Sequence, residues 1–271
     1  MHELKSDNLR VSILDPVEDQ ERFGVRYCTG GYIFQVTDED HGELMSGPTY
    51  PDDFNWFDGQ GIPDSFNRAP IRNPDDPSAV IVPGIGLCDL EAKEVIGYCI
   101  WDTETTDSSV MMTTSHEFGD HRIDLERTVT LRSRTIRSET FFRNAGRQPI
   151  PISWFPHPFY PQLESTDELC RFNITTSFPD NDGFEWADSG FIARKGWPWA
   201  KGHFQALDHH ADAPLLVQQK HPKLGLVGAT CSYVPGFFPI WGNTNTFSWE
   251  PYYERTLAPG QSSTWWIDYQ F

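Results

Sequence analysis

Two residues stand where acid–base chemistry could be done. His157 lies in Pro156-His157-Pro158, at the end of the stretch Pro149 to Phe155. The flanking prolines fix their own backbone angles, and Pro158 confines His157 to an extended conformation, so its imidazole is held stiffly. Glu250 lies in Phe247-Ser248-Trp249-Glu250-Pro251-Tyr252-Tyr253, a carboxylate inside an aromatic run. Burying a carboxylate is unfavourable unless it is paired or used, and burial raises its pKa towards neutrality. Imidazole titrates near neutral pH, so these two groups facing each other across a pocket would make an acid–base pair. The same residues admit plainer roles, with Glu250 paired to Arg255 and His157 capping a strand. His2, His41, His209, His210 and His221 lie in polar surroundings. His209 and His210 are adjacent, so on a strand they point to opposite faces and do not converge on one ion. Neither a metal site nor a cofactor is expected.

The aromatic residues suggest what the pair would act on. The chain has 10 Trp, 19 Phe and 9 Tyr among 271 residues, and Trp56, Trp154, Trp241, Trp249, Tyr252 and Tyr253 flank the candidate acid and base. Indole and phenol rings offer an apolar face to the C–H side of a sugar ring and a polar edge to its hydroxyls. Each of them could equally be a core residue. Pro83-Gly84-Ile85-Gly86 lacks the strand–glycine-rich turn–helix setting of a dinucleotide or phosphate loop, and no Gly-x-Ser-x-Gly nucleophile turn is present.

The elements that must hold these residues are strands. Arg127 to Pro161 reads as three in succession. Val129 and Leu131 alternate with Thr and Arg, Ile136, Thr140 and Phe142 take up the opposite phase after Arg132-Ser133-Arg134, and Asn144-Ala145-Gly146-Arg147 turns the chain into Pro149–Phe155. Thr264 to Phe271, ending in WWIDYQF, alternates as a central strand does. Gly24 to Thr37 reads as two strands around Thr29-Gly30-Gly31. Met45 to Pro77, rich in Pro, Gly, Asp and aromatics, is a long irregular segment, either functional or a cover for one sheet edge. With 21 Gly and 21 Pro cutting the chain often, the expectation is an all-β fold, one large antiparallel β-sandwich forming a single domain over residues 1–271.

Charge and cysteine usage narrow the function further. Thirty-nine acidic against 21 basic residues give a net charge of −18, which disfavours nucleic acid and anionic membrane as partners. No apolar run approaches the roughly 20 residues of a membrane span, and MHELKSDNLR lacks the pattern of a signal peptide. Five dispersed cysteines without a Cys-x-x-Cys pair suit reduced thiols and a cytoplasmic location. The expected partner is a small-molecule sugar.

Taken in order, Arg127-x3-Leu131, Phe142-Arg143-Asn144-x-Gly146 and His157-Pro158-Phe159, then Trp249-Glu250-Pro251 and Leu257-Ala258-Pro259-Gly260, resemble the aldose 1-epimerase or galactose mutarotase-like family. Arg26 to Val36 resembles the family's N-terminal strands, and Gly59 to Phe66 a loop of its less-studied branches. The resemblance implies a supersandwich with a sugar site on one concave face. It implies Glu250 as the base that takes the proton of the anomeric hydroxyl and His157 as the acid that protonates the ring oxygen, without cofactor or metal. It also implies a second histidine, for which His116 is the candidate, and a sugar-gripping Asp. Near the place expected for that Asp the chain has Trp199-Ala200-Lys201-Gly202-His203-Phe204, so His203 would stand in for it, with Asp208 a few residues late. Sugar-phosphate members use arginines, and Arg68 is the residue here. The alternative is a carbohydrate-binding or sensing protein on the same scaffold, without catalysis.

Overall fold

The computed structural model describes residues 1–72, 78–196, 202–210 and 212–271. Among these residues the fold is built from antiparallel sheets, and the helical element is a single 3-10 turn at Gln20–Arg22. The largest sheet has ten strands. Across it they run Asp102–Thr105, Ser109–Phe118, His121–Arg132, Thr135–Asn144, Ser262–Gln270, Gly225–Cys231, Leu216–His221, Glu168–Phe172, Ile192–Arg194 and Phe184–Trp186. Ser262–Gln270 is central, as its alternation predicted. Its buried Trp265, Ile267 and Tyr269 face the core with Phe142 and Ile136 from the neighbouring strand, while the residues between them point outward. The hairpin of His121–Arg132 and Thr135–Asn144 closes through Ser133 and Arg134, with Ser133 at φ +53°. Smaller sheets pack over the inner face and complete a β-sandwich.

The third strand of the central triplet behaves differently from the first two. Ile150–Pro156 leaves the large sheet and pairs with Tyr253–Leu257 on one side and Asp64–Ser65 on the other. Ile150, Ile152 and Trp154 alternate towards the core, so Phe155 and His157 share the opposite face. Past the strand, the N–H of His157 donates to the carbonyl of Pro63 (2.7 Å) and that of Phe159 to Gly61 (2.8 Å). Gly61 has φ +76°, and a Cβ there would lie 2.3 Å from the Phe34 carbonyl oxygen, so only glycine lets this segment approach so closely.

The segment Gly24–Tyr32 contains no strand, contrary to the two-strand expectation; the strand begins at Ile33. Its backbone groups are spent elsewhere: Cys28 N–H donates to Asp64, Thr29 N–H to Gly84, and the Gly30 carbonyl accepts from Arg127. The chain wraps a buried guanidinium and does not pair along an edge. Met45–Pro77 is irregular apart from Asp64–Ser65 and Ile71–Arg72, and its residues 73–77 lie outside the described residues.

Candidate active site

His157 and Glu250 meet. Nε2 of His157 is 3.3 Å from Oε1 of Glu250, and both side chains are buried. They form the floor of a cavity of about 320 Å³. Each is aimed by the ladder beneath it. Glu250 N–H donates to Pro239 and Tyr252 N–H to Phe237, so these alternate residues face the same side, as do Phe155 and His157. The imidazole is enclosed by rings, with Phe159 stacked on it at 4.3 Å between centroids and Tyr27 and Trp241 set edge-on at 6.1 and 5.8 Å. Its Nδ1 is buried without a hydrogen-bond partner among the described residues.

This enclosure sets the protonation of the pair. Burial pushes the Glu250 carboxyl up to about 8, although Arg26 and Arg68 pull it down. Burial, with the nearby charge of Arg26, pushes His157 well below the usual imidazole range. Near neutral pH the pair therefore holds one proton. Protonated Glu250 with neutral imidazole is the arrangement burial favours, and the ionised carboxylate with imidazolium has the same proton count.

The walls divide by chemistry. Arg26, Asn67 and Arg68 form a polar side, while Phe57, Phe155, Phe204, Trp241 and Tyr252 form an aromatic one, with Phe155 and Tyr252 stacked at 4.6 Å. Phe57, Asn67 and Arg68 come from the long irregular segment, which thus lines the cavity. Clefts elsewhere, such as those around Arg137 and Asp268 or around Leu216 and Leu226, hold no buried acid–base pair.

The comparisons with known proteins follow the same lines. No family profile matches the sequence, and no curated protein matches it. Solved structures do. A galactose mutarotase-related enzyme from Lactobacillus acidophilus superposes with a TM-score of 0.66 at 11% identity, over 99% of this chain and 96% of that one. A galactose mutarotase-like protein from Lactobacillus casei ATCC 334 gives 0.59 at 12% identity, over 100% and 99%. An aldose epimerase homologue from C. elegans gives 0.52 at 12% identity, over 99% and 97%.

The chain has the galactose mutarotase-like fold.

Within that fold, five of the residues singled out from the sequence come together at one cavity: His157, Glu250, Arg68, Trp241 and Tyr252. Trp154, Trp249 and His203 do not, nor do Trp56 and Tyr253, the latter stacked on Trp265. Trp154 lies on the core face of its strand, against Trp265, with its indole N–H donated to Asp64 (2.9 Å). Trp249 is fully buried between Tyr160 and Tyr269, because it immediately precedes Glu250 and points the other way. His203 pairs with Gly242 while its neighbour Phe204 pairs with Trp241, so alternation carries Phe204 to the cavity wall and His203 away from it. Trp199, Ala200 and Lys201 lie outside the described residues.

His116, the candidate for a second histidine, does not line the cavity. That side chain is buried in the core, where its Nε2 accepts the Gly84 N–H at 3.2 Å and burial pushes its pKa to about 4. Asp208 is exposed on the Asp208–His210 strand, and Glu250 is the only carboxylate among the described residues that line the cavity. Arg26, Phe57, Asn67, Phe155 and Phe204 line the cavity without having been named as site residues from the sequence, and Arg26 is the charged one among them. Its setting, GVRYC, reads as an ordinary strand with an outward arginine.

Proposed function

We propose that the protein is an aldose 1-epimerase-like isomerase that interconverts the α and β anomers of a hexose or modified hexose. The observation that carries this is the 3.3 Å approach of His157 Nε2 to Glu250 Oε1 at the bottom of an aromatic-walled cavity. Ring opening needs one group to remove the proton of the anomeric hydroxyl and another to protonate the ring oxygen. With Glu250 ionised and His157 protonated, Glu250 takes the first proton and His157 gives the second. The C1–O5 bond breaks and C1 becomes the open-chain carbonyl. The pair is then left as carboxyl and neutral imidazole, the arrangement that burial favours in the empty site. Rotation about C1–C2 and reclosure run the same transfers backwards. No net proton is consumed, and positioning in a water-poor pocket supplies the rest of the catalysis.

The test is the decay of optical rotation of freshly dissolved α-D-glucose and α-D-galactose. The protein should accelerate it, and Glu250→Gln should abolish the acceleration. Full activity in Glu250→Gln would remove the base and with it this mechanism. A second reading, a sugar-binding or sensing protein without catalysis, is favoured by the lining, which among the described residues offers no aspartate to grip hydroxyls. Sugar binding that survives loss of both Glu250 and His157, with no turnover in the parent, would select it.

A further inference from the structure

We propose that Ser65 is a positioning residue of the candidate site: its hydroxyl ties the segment carrying Arg26 to the segment carrying Asn67 and Arg68, and so fixes where the Arg26 charge stands against His157 and Glu250. This rests on the reading of those two residues as the reacting pair. Ser65 has no exposed surface and does not line the cavity. Its hydroxyl donates to the Arg26 carbonyl and accepts the Asn67 N–H at 3.2 Å. A hydroxyl can do both at once, whereas an alanine would take the partner from a carbonyl and an amide together. The two segments it joins build one wall of the cavity, with Arg26 on one and Asn67 and Arg68 on the other.

The bond has leverage because neither segment runs in a long strand. Residues 24–32 contain none, and Asp64–Ser65 is a strand of two residues. That short strand pairs with Phe155 and Pro156, which lead into His157, and the Asp64 carbonyl accepts the Cys28 N–H at 2.8 Å. Ser65 thus sits where the His157 strand, the Arg26 segment and the Arg68 segment meet. The Arg26 guanidinium lies over the rings of Tyr27 and Phe57 at 5.2 and 5.4 Å, contacts that attract a cation without fixing its position as a hydrogen bond does. Its position matters to the pair. Arg26 and Arg68 pull the Glu250 carboxyl down against burial, and Arg26 also pushes His157 down. Tyr27 and Tyr252 face the pair as well, but burial raises both phenols, Tyr252 to about 12, so they stay protonated through the range in which Glu250 titrates. A retreat of Arg26 therefore moves Glu250 upward.

The experiment reads the Glu250 carboxyl directly, by carbon NMR titration of glutamate-labelled protein, the signal being assigned by its loss in Glu250→Gln. In Ser65→Ala the midpoint should rise by about 0.3 pH unit, against about 1 in Arg26→Gln, as expected for displacing a nearby charge and for removing it. Ser65 acts through Arg26, so Ser65→Ala added to Arg26→Gln should move the midpoint no further. Thr29→Val is the control. The Thr29 hydroxyl is buried in the same segment and donates to the Gly84 carbonyl at 2.8 Å, away from the cavity lining, so its loss should lower stability and leave the midpoint in place. Ser65→Cys keeps a weak donor and serves should Ser65→Ala fold poorly, with a smaller rise in the same direction. Where glucose or galactose is turned over, the alkaline limb of kcat/KM should follow the same shifts. An unmoved midpoint in Ser65→Ala and Ser65→Cys, an equal movement in Thr29→Val, or a further rise in the Arg26→Gln background overturns the inference. The isomerase reading fails separately: turnover with an unmoved midpoint keeps that reading and removes Ser65, whereas a midpoint that shifts as expected without turnover of any sugar supports the placement of Arg26 by Ser65 and removes the isomerase.

Discussion

Asp64 and Glu250 are both carboxylates with 5% of their surface exposed, and each faces a basic side chain, Arg127 for Asp64 and His157 for Glu250. Burial therefore does not distinguish them; the completeness of their partners does. Both oxygens of Asp64 are engaged, one by the Arg127 guanidinium and the other by the indole N–H of Trp154 at 2.9 Å. Arg127 spends its remaining donors on Thr140, Ser138 and the carbonyl of Gly30. Among the described residues Glu250 makes one ion pair, to His157 at 3.3 Å, and His157 Nδ1 has no hydrogen-bond partner, while both side chains border an open cavity. A fully bonded buried charge is a structural joint, and here it anchors Asp64 beside Pro63, whose carbonyl accepts the His157 N–H. An under-bonded one has hydrogen-bonding capacity left over, which is the mark of a candidate site.

The sharpest way to break this contrast is to neutralise one member of each pair. Glu250→Gln keeps shape and volume and leaves no strong partner unpaired. Activity should fall about 10²- to 10⁴-fold without loss of stability to urea. The mirror experiment is Arg127→Met, which strands the Asp64 carboxylate in the core and should cost about 3–5 kcal/mol. Adding Asp64→Asn to it should restore part of that loss, since the two side chains are coupled. If Glu250→Gln destabilised as much as Arg127→Met, both pairs would be structural.

The pairs should also differ in how stability responds to pH. The Glu250 carboxyl titrates at about 8 in the native protein against 4.5 when unfolded. Between those values the native state keeps a proton that the unfolded chain has released. This group's contribution is thus fully present below about 4.5 and declines as pH rises towards 8. His157 acts in the opposite direction: its native pKa is well below 6.5, so below that pH the unfolded chain takes up a proton that the native protein refuses. The window from about 6.5 to about 8 isolates Glu250. Across it the parent should lose up to ~1.4 kcal/mol per pH unit relative to Glu250→Gln. Parallel urea midpoints for the two proteins would mean that the native pair holds no proton across this window, with Glu250 ionised and His157 neutral, since a carboxylate–imidazolium pair keeps the same proton and gives the same slope.

Much of the fold was legible in the sequence because its cause is local. Alternation at Val129–Leu131, Ile136–Phe142 and Trp265–Tyr269 reflects one buried face per strand and needs no partner to be seen. The same rule, carried further, separates the site residues from the core. Glu250 and Tyr252 are two apart and share a face, as do Phe155 and His157, whereas Trp249 and Trp154 immediately precede them and point inward. Choosing aromatics by nearness in sequence to the acid and base overlooked this alternation. Other features were out of reach. Gly24–Tyr32 is shaped by a guanidinium that arrives from residue 127, about a hundred positions away in the chain. Arg26 reaches the cavity only because that segment is bent, and no local pattern at GVRYC reports the bend.

The smallest effect distinguishes two tryptophans that looked alike in sequence. Trp154→Phe keeps an aromatic body against Trp265 and removes the N–H that satisfies Asp64. A hydrogen bond to a charged group is worth about 1.5–3 kcal/mol, so stability should fall by that amount while KM stays within about twofold. Trp241 lies on the cavity wall, half-buried, and the structure assigns its indole no buried carboxylate. Trp241→Phe should leave the urea midpoint nearly unchanged, within about 0.5 kcal/mol, and raise KM for the sugar several-fold, since a ring that stacks on a ligand contributes only about 1 kcal/mol. The two substitutions thus read out on different instruments. A raised KM in Trp154→Phe would mean that the Asp64 joint transmits its geometry to His157 through Pro63, and the boundary between joint and site would have to be redrawn to include it.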